Sequence, residues 1–283
     1  MYEWQDPDRR KHDYLQKSTV VENLCGVLRR FLFSLLAIGP MPNHIAFIMD
    51  GNRRYAKSKS KEEGGDHRAG FSALISVLRY CYEMGVNYVT VYAFSIDNFK
   101  RKPEEVNSIM NLLKEKIDEL LQEETIIKEY GVKINFLGNL NLLDDVVRLS
   151  VERAMRITSS NTGLVLSVCV AYTSTNEILR AVESSCFEKR NQGSSSTQEV
   201  ISVDDLENHL HTNGCPDPDI LIRTSGETRL SNFLLWQSSF SHLQNPAPLW
   251  PEFSLRHLVW AVLHYQRAYP YLKEIRERCK KIQ

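Results

Sequence analysis

From residue 44 onward, short β-branched runs alternate with stretches whose apolar residues recur every three or four positions. His44–Met49, Tyr88–Phe94, Val132–Leu137, Leu164–Ala171 and Asp219–Ile222 read as strands. Phe71, Leu74, Ile75, Leu78, Cys81 and Tyr82 mark one face of a helix that Gly85 closes. Val106, Ile109, Met110, Leu113, Ile117, Leu120 and Leu121 mark a longer helix, with Glu104 and Glu105 at its positive end. Helical patterns also fit Leu142–Arg156 and Asn176–Phe187, and the chain after residue 226 reads as mostly helical. The alternation predicts one α/β domain, residues 41–283, with a mostly parallel central sheet flanked by helices. Residues 190–199 read as a flexible surface loop.

The N-terminal 40 residues differ. Residues 1–17 are polar, then Val20, Val21, Leu24, Val27, Leu28, Phe31, Leu32 and Leu35 recur at helical spacing. The uninterrupted apolar core of this stretch is far shorter than the ~20 residues a membrane span needs. Residues 39–42 (Gly-Pro-Met-Pro) break the helix without offering a cleavage site. Two readings stand: an interfacial amphipathic helix near a membrane, or a helix capping the core.

Composition narrows the function. The 283 residues carry 35 Lys+Arg and 35 Asp+Glu, a formal net charge of zero, and 42% are hydrophobic. These values exclude disordered and collagen-like chains, and they give nucleic acid no global attraction. Six scattered cysteines, without CxxC or zinc spacing, read as reduced residues facing cytosol.

In open α/β sheets ligands bind beyond the carboxyl ends of the strands. Here those ends run into Asp50-Gly-Asn-Arg-Arg54, Ser95-Ile-Asp-Asn-Phe-Lys-Arg101, Gly138-Asn139, Tyr172-Thr-Ser174 and Arg223-Thr-Ser-Gly-Glu-Thr-Arg-Leu-Ser-Asn232. Parallel strands would bring all five to one edge. Arginine forks match phosphate oxygens, glycine turns let backbone N–H groups approach an anion, and a carboxylate among them suits Mg²⁺. The picture is a site for two phosphorylated groups and one divalent metal. There is no P-loop and no GxGxxG. The paired aspartates at 144–145 and 204–205 do not continue as DDxxD, which removes the aspartate-rich cluster of head-to-tail trans-prenyl synthases.

The segments His44–Tyr55, Gly65-Asp-His-Arg-Ala-Gly70, Tyr92–Phe99, Asp219–Gln237 and Leu249-Trp-Pro-Glu252 resemble the cis-prenyltransferase family over residues 41–272. The likeness is to its eukaryotic dehydrodolichyl diphosphate synthase branch, which includes plant polyprenyl and rubber-type synthases. The resemblance implies condensation of isopentenyl diphosphate onto an allylic diphosphate such as farnesyl diphosphate, giving a long Z-polyprenyl diphosphate. It implies that Asp50 binds Mg²⁺ and that Gly51, Asn52, Arg53, Arg54 and His67, with Arg101 nearby, cradle the allylic diphosphate. Arg223, Arg229 and Ser231 would hold isopentenyl diphosphate. Asn98, beside Ser95, would orient the reacting ends, while a diphosphate oxygen or Asp50 takes the proton. An apolar product tunnel would run along the helices Ala69–Met84 and Val106–Leu121, with the N-terminal segment at the cytosolic face of the endoplasmic reticulum.

Three departures from the family pattern stand out. His242 occupies the place of an acidic metal ligand of bacterial members. Glu63 replaces an arginine of the loop before His67. The segment Tyr271–Gln283 lacks the Arg-x-Gly motif of self-sufficient members. The resemblance therefore implies a dimeric assembly with a Nogo-B-receptor-like accessory subunit that supplies the motif. A non-catalytic scaffold subunit would not need Asp50, Arg54, Asn98, Arg223 and Arg229 together. A different α/β enzyme of phosphorylated metabolites would give a water-soluble product.

Overall fold

A computed structural model describes residues 26–59, 65–191 and 200–280. It divides into two units, one ending at Met41 and the other spanning Pro42–Gln283. In the first, residues 26–36 form helix α1, and Val27, Leu28, Phe31 and Leu35 lie exposed on one of its faces. The expected loop at 190–199 falls almost wholly outside the described residues, as does Glu63.

The second unit is a single α/β domain around a six-stranded sheet. The strands are β1 (His44–Ile48), β2 (Tyr88–Ser95), β3 (Lys133–Leu137), β4 (Val165–Tyr172), β5 (Ile220–Arg223) and β6 (His242–Gln244). Their order is β3-β4-β2-β1-β5-β6, and every pairing is parallel. Between them run α2 (Asn52–Lys59), α3 (Gly65–Glu83), α4 (Pro103–Gln122), α5 (Asp145–Ile157), α6 (Ser174–Asn191) and α7 (Val203–His209), and α8 (Leu255–Lys280) closes the domain. All five residues of β1 and all four of β5 are buried, as central parallel strands covered on both faces require. α4 starts at Pro103, whose missing N–H costs nothing in a first turn, with Glu104 and Glu105 following. Its face buries Met110, Ile117 and Leu120.

The five expected strands are all present; β6 is additional. It has three residues, Leu243 among them half exposed, so it shows none of the apolar run that betrays a buried strand. Residues 227–254, expected to be helical, instead form turns, β6 and a short 3-10 segment at Trp250–Glu252, and only α8 carries the helical pattern. Register sets up the site. Ile48 pairs with Tyr92 on one side and with Arg223 on the other, so the ends of β1 and β5 stand in one row with Tyr92, three residues before the end of β2.

Candidate active site

Asp50 leaves β1 two residues past that row. Its carbonyl accepts from the Thr224 hydroxyl at 2.7 Å and the Trp250 N–H at 2.9 Å, which fixes the turn. Gly51 has φ +105°, and a Cβ there would meet Leu249 Cδ2 at 2.8 Å, so only glycine continues the chain into α2. Arg223 is almost fully buried. It donates from Nη2 to Asp50 Oδ2 at 2.7 Å and from Nη1 to the Ser231 hydroxyl and the Arg229 carbonyl at 2.5 and 2.6 Å. Its Nε is buried with no partner among the described residues.

Burial works to raise the Asp50 pKa. The hydrogen bond and charge of Arg223, with Arg54 behind it, override that and hold the carboxyl below its ordinary value. Asp50 therefore stays ionised at neutral pH.

A cavity of about 660 Å³ opens over these groups. Asp50, Arg53, Ser95, Asn98, Arg101, Arg223, Arg229 and Ser231 all line it, so eight of the twelve sequence-predicted residues meet in one place. Arg54 stands at its edge, 3.4 Å from Asp50 Oδ1 and 2.5 Å from Ser225 Oγ. Gly51 shapes the turn without lining the cavity. Asn52 lines a different, apolar cavity; its Nδ2 donates to the Met49 carbonyl at 3.1 Å, while its Oδ1 is buried with no partner among the described residues. His67 lies in the first turn of α3, and its side chain is outside the described residues.

Ser95 and Asn98 are locally bound to each other. Ser95 caps the 3-10 turn Ile96–Lys100, its hydroxyl accepting from the Asp97 N–H at 3.2 Å, and Asn98 Oδ1 accepts the Ser95 N–H at 3.0 Å. Only the Asn98 amide NH₂ is left to point at a ligand. That makes it a hydrogen-bond donor, not a base.

The arginines are held by acids of the same chain. Arg53 and Arg101 both reach Glu105 Oε1, at 3.3 and 2.7 Å. Arg229 and Arg54 reach Glu227, at 2.5 and 3.7 Å. Most of these pairs are solvent-exposed and individually weak, so an anion with more charge can exchange with the carboxylates. Sequence reasoning assigned no role to Tyr92 or Asn232, which also line the cavity. Burial pushes the Tyr92 phenol up to about 12, so it remains a donor, to the carbonyls of Tyr172 at 3.1 Å and Ser231 at 3.4 Å. The sequence signal for Asn232 was its position in the Arg223–Asn232 run, and for Tyr92 its place at the head of the Tyr92–Phe99 motif.

Among the described residues no group of three or more His, Cys, Asp or Glu could hold a metal ion. Among the described residues one carboxylate is suitable, Asp50, whose Oδ1 has a long contact to Arg54. Asp97, the other carboxylate of the cavity, is bound to Lys100 at 2.6 Å. This donor set fits a hard divalent ion that takes its remaining ligands from diphosphate oxygens and water. His242 does not join it. It sits at the start of β6 opposite Ile220, three residues short of Arg223 in register.

A second cavity, of about 190 Å³, shares Met49 and Ala93 with the first. Phe71 and Leu74 of α3, Ile109, Leu113 and Ile117 of α4, and Trp250 give it apolar walls. Lys116 enters the wall with its stem while its ammonium is held by Glu119 at 2.7 Å.

Residues 48–270 match the family model described as "Putative undecaprenyl diphosphate synthase". Dehydrodolichyl diphosphate synthase CPT3 of Solanum lycopersicum is 56% identical over 272 residues, covering 89% of this chain and 94% of that protein. Rubber cis-polyprenyltransferase HRT2 of Hevea brasiliensis is 48% identical, covering 94% of this chain and 98% of that one. Among solved structures, lavandulyl diphosphate synthase from Lavandula x intermedia, in complex with dimethylallyl diphosphate, superposes with a TM-score of 0.74. It is 27% identical and covers 80% of this chain and 95% of its own.

Proposed function

The chain belongs to the undecaprenyl diphosphate synthase family of cis-prenyltransferases, and from that premise we propose how its two adjoining cavities divide the work. The enzyme is a catalytic cis-prenyltransferase that makes a long-chain polyprenyl diphosphate. The observation that carries the finer reading is the shared wall: an arginine-lined polar cavity opens beside an apolar one through Met49 and Ala93. An allylic diphosphate has the same two-part chemistry, a polyanion joined to a hydrocarbon.

In this reading Arg53, Arg54 and Arg101 release Glu227 and Glu105 and take the allylic diphosphate, farnesyl diphosphate being the expected primer. Arg223, Arg229 and Ser231 take isopentenyl diphosphate. Neutralising the leaving diphosphate lowers the barrier to C–O ionisation, because the arginines are placed before charge develops. Mg²⁺ at Asp50 would add charge at the same oxygens. The Asn98 NH₂ orients the reacting ends, and the proton lost from the condensing unit goes to a diphosphate oxygen or to Asp50. The hydrocarbon then extends from the reacting centre into the apolar cavity, which we read as the start of the product tunnel.

Association follows similar logic. The exposed face of α1 suits an interfacial seat at the cytosolic surface of the endoplasmic reticulum. No described helix is long and apolar enough to cross a membrane. A human relative, 43% identical, is named a dehydrodolichyl diphosphate synthase complex subunit. We read this chain likewise as needing an accessory subunit of the Nogo-B-receptor type that supplies Arg-x-Gly. The exposed Leu243 of β6 and Trp260 and Leu263 of α8 offer a protein-facing surface.

The test is one assay. Labelled isopentenyl diphosphate, farnesyl diphosphate and Mg²⁺ are incubated with the chain, with and without the accessory subunit, and the butanol-soluble product is sized. A polyprenyl product that requires metal and partner is expected. A water-soluble product would overturn the substrate reading, and full processive turnover by the purified chain alone would overturn the partner.

A further inference from the structure

One buried carboxylate lies behind the site and outside the cavity. Glu177, in the first turn of α6, is 1% exposed. Three neutral groups donate to it: the Tyr172 hydroxyl at 2.5 Å, Gln237 Nε2 at 3.0 Å and the Thr212 N–H at 3.3 Å. A carboxylate taken from water is expensive unless donors and dipoles satisfy it. Here the donors and the positive end of α6 do so, and the cost of misplacing any donor makes the cluster rigid.

The cluster grips one loop. Besides Gln237, the first turn of α6 holds residues 232–235 of that loop. The Ser174 N–H donates to the Asn232 carbonyl at 2.8 Å, and the Leu235 N–H donates to Ser174 Oγ at 2.9 Å. The Thr175 N–H and hydroxyl both reach Asn232 Oδ1 at 3.1 Å. Tyr92 stacks on Phe233 at 4.5 Å, and the Tyr172 ring meets Phe233 edge-on. The held segment is strained: Ser231, Asn232 and Leu234 have φ of 50°, 60° and 44°. Non-glycine residues keep such angles only where their surroundings over-determine them. The same loop carries Arg229 and Ser231 to the cavity wall.

We propose that Glu177 is the positioning residue of this loop: its carboxylate ties Tyr172, Gln237 and the first turn of α6 into one cluster that keeps Ser231 and Arg229 on the cavity wall. The proposal rests on the reading of the cavity as a diphosphate site.

Glu177→Gln keeps the shape but sets an NH₂ against one of its donors, the Gln237 amide or the Thr212 N–H. In the assembly that turns over, the KM of each diphosphate is measured for Arg229→Ala and for Glu177→Gln. The diphosphate whose KM rises in Arg229→Ala should rise about fivefold or more in Glu177→Gln, with the other within about twofold. The double variant Glu177→Gln/Gln237→Glu restores a donor facing an acceptor and should return that KM towards the starting value. Tyr172→Phe, which removes one donor and keeps the ring, should shift the same KM by a smaller factor. It serves alone if Glu177→Gln does not fold. A lower kcat with both KM values unchanged would overturn the proposal, as would a folded double variant without recovery. If Arg229→Ala weakens the allylic primer instead, the subsite assignment falls. Glu177 then stands only if its own variant raises the primer KM.

Discussion

Each edge of the sheet holds an aspartate bonded to an arginine, and the two pairs do opposite jobs. At the amino edge Asp219 accepts from the N–H groups of Asn43 and His44 at 2.7 and 3.1 Å, from the Tyr265 hydroxyl at 3.3 Å and from Arg276 at 3.4 Å. Each of its oxygens has two donors, and it ties β1 and β5 to α8. At the carboxyl edge Asp50 gives one oxygen to Arg223 at 2.7 Å and leaves the other with a 3.4 Å contact, facing a cavity of about 660 Å³. Type and charge are the same. What separates structural from chemical use is the valence left over once the chain has satisfied itself.

The largest contrast comes from removing each carboxylate. Asp50→Ala should lower kcat/KM by about 10³-fold, since charge placed for the transition state is lost, while circular dichroism shows the fold retained. Asp219→Ala should do the reverse. It strands two backbone N–H groups and a guanidinium, for a stability loss of about 2–3 kcal/mol in denaturant unfolding, with turnover per folded molecule kept. If Asp219→Ala impaired catalysis as much as Asp50→Ala, the division by unused valence would fail.

Arg229→Ala is a milder probe of the open edge. The side chain is 63% exposed and pairs with Glu227. It should raise the KM of isopentenyl diphosphate about tenfold and leave the primer little affected. A selective loss of primer binding would exchange the two subsites.

The same contrast explains what was legible in the sequence. The five longer strands and the polar runs after them are local patterns, so Asp50, Ser95, Arg101, Arg223 and Ser231 stand out in the sequence alone. The sequence marks Ser95 and Asn98 for the substrate, but not the cap they form with each other. Closure of Asp219 was not legible either, because Asn43 and Arg276 lie 176 and 57 residues away from it. For the same reason the holding of Arg53 by Glu105 and of Arg54 by Glu227 did not show in the pattern, whereas Arg101–Glu105 and Arg229–Glu227 are local pairs whose spacing alone does not say that they face the cavity. β6 escaped because a three-residue edge strand has too little periodicity to see, and the role of Tyr92 because its hydroxyl acts on carbonyls that only folding brings near.

The smallest expected effect is the pH dependence of the open pair. Burial opposes ionisation of Asp50, but Arg223 and Arg54 leave its folded pKa below the unfolded one. A depressed carboxyl pKa stabilises the fold above the unfolded value of about 3.9, and that contribution is lost as pH falls through the folded value. Asp50→Asn keeps the shape and removes the charge. The gap in unfolding midpoint between wild type and Asp50→Asn should therefore be constant from neutral pH down to about 5, then narrow on further acidification. Added salt should shrink the gap, because the pair borders an open cavity and is screened. A gap that stays the same through the acid range would mean that the Asp50 charge adds nothing to the fold. Arg223 would then be held by Ser231 and the Arg229 carbonyl alone, and Asp50 would be free to serve only the substrate.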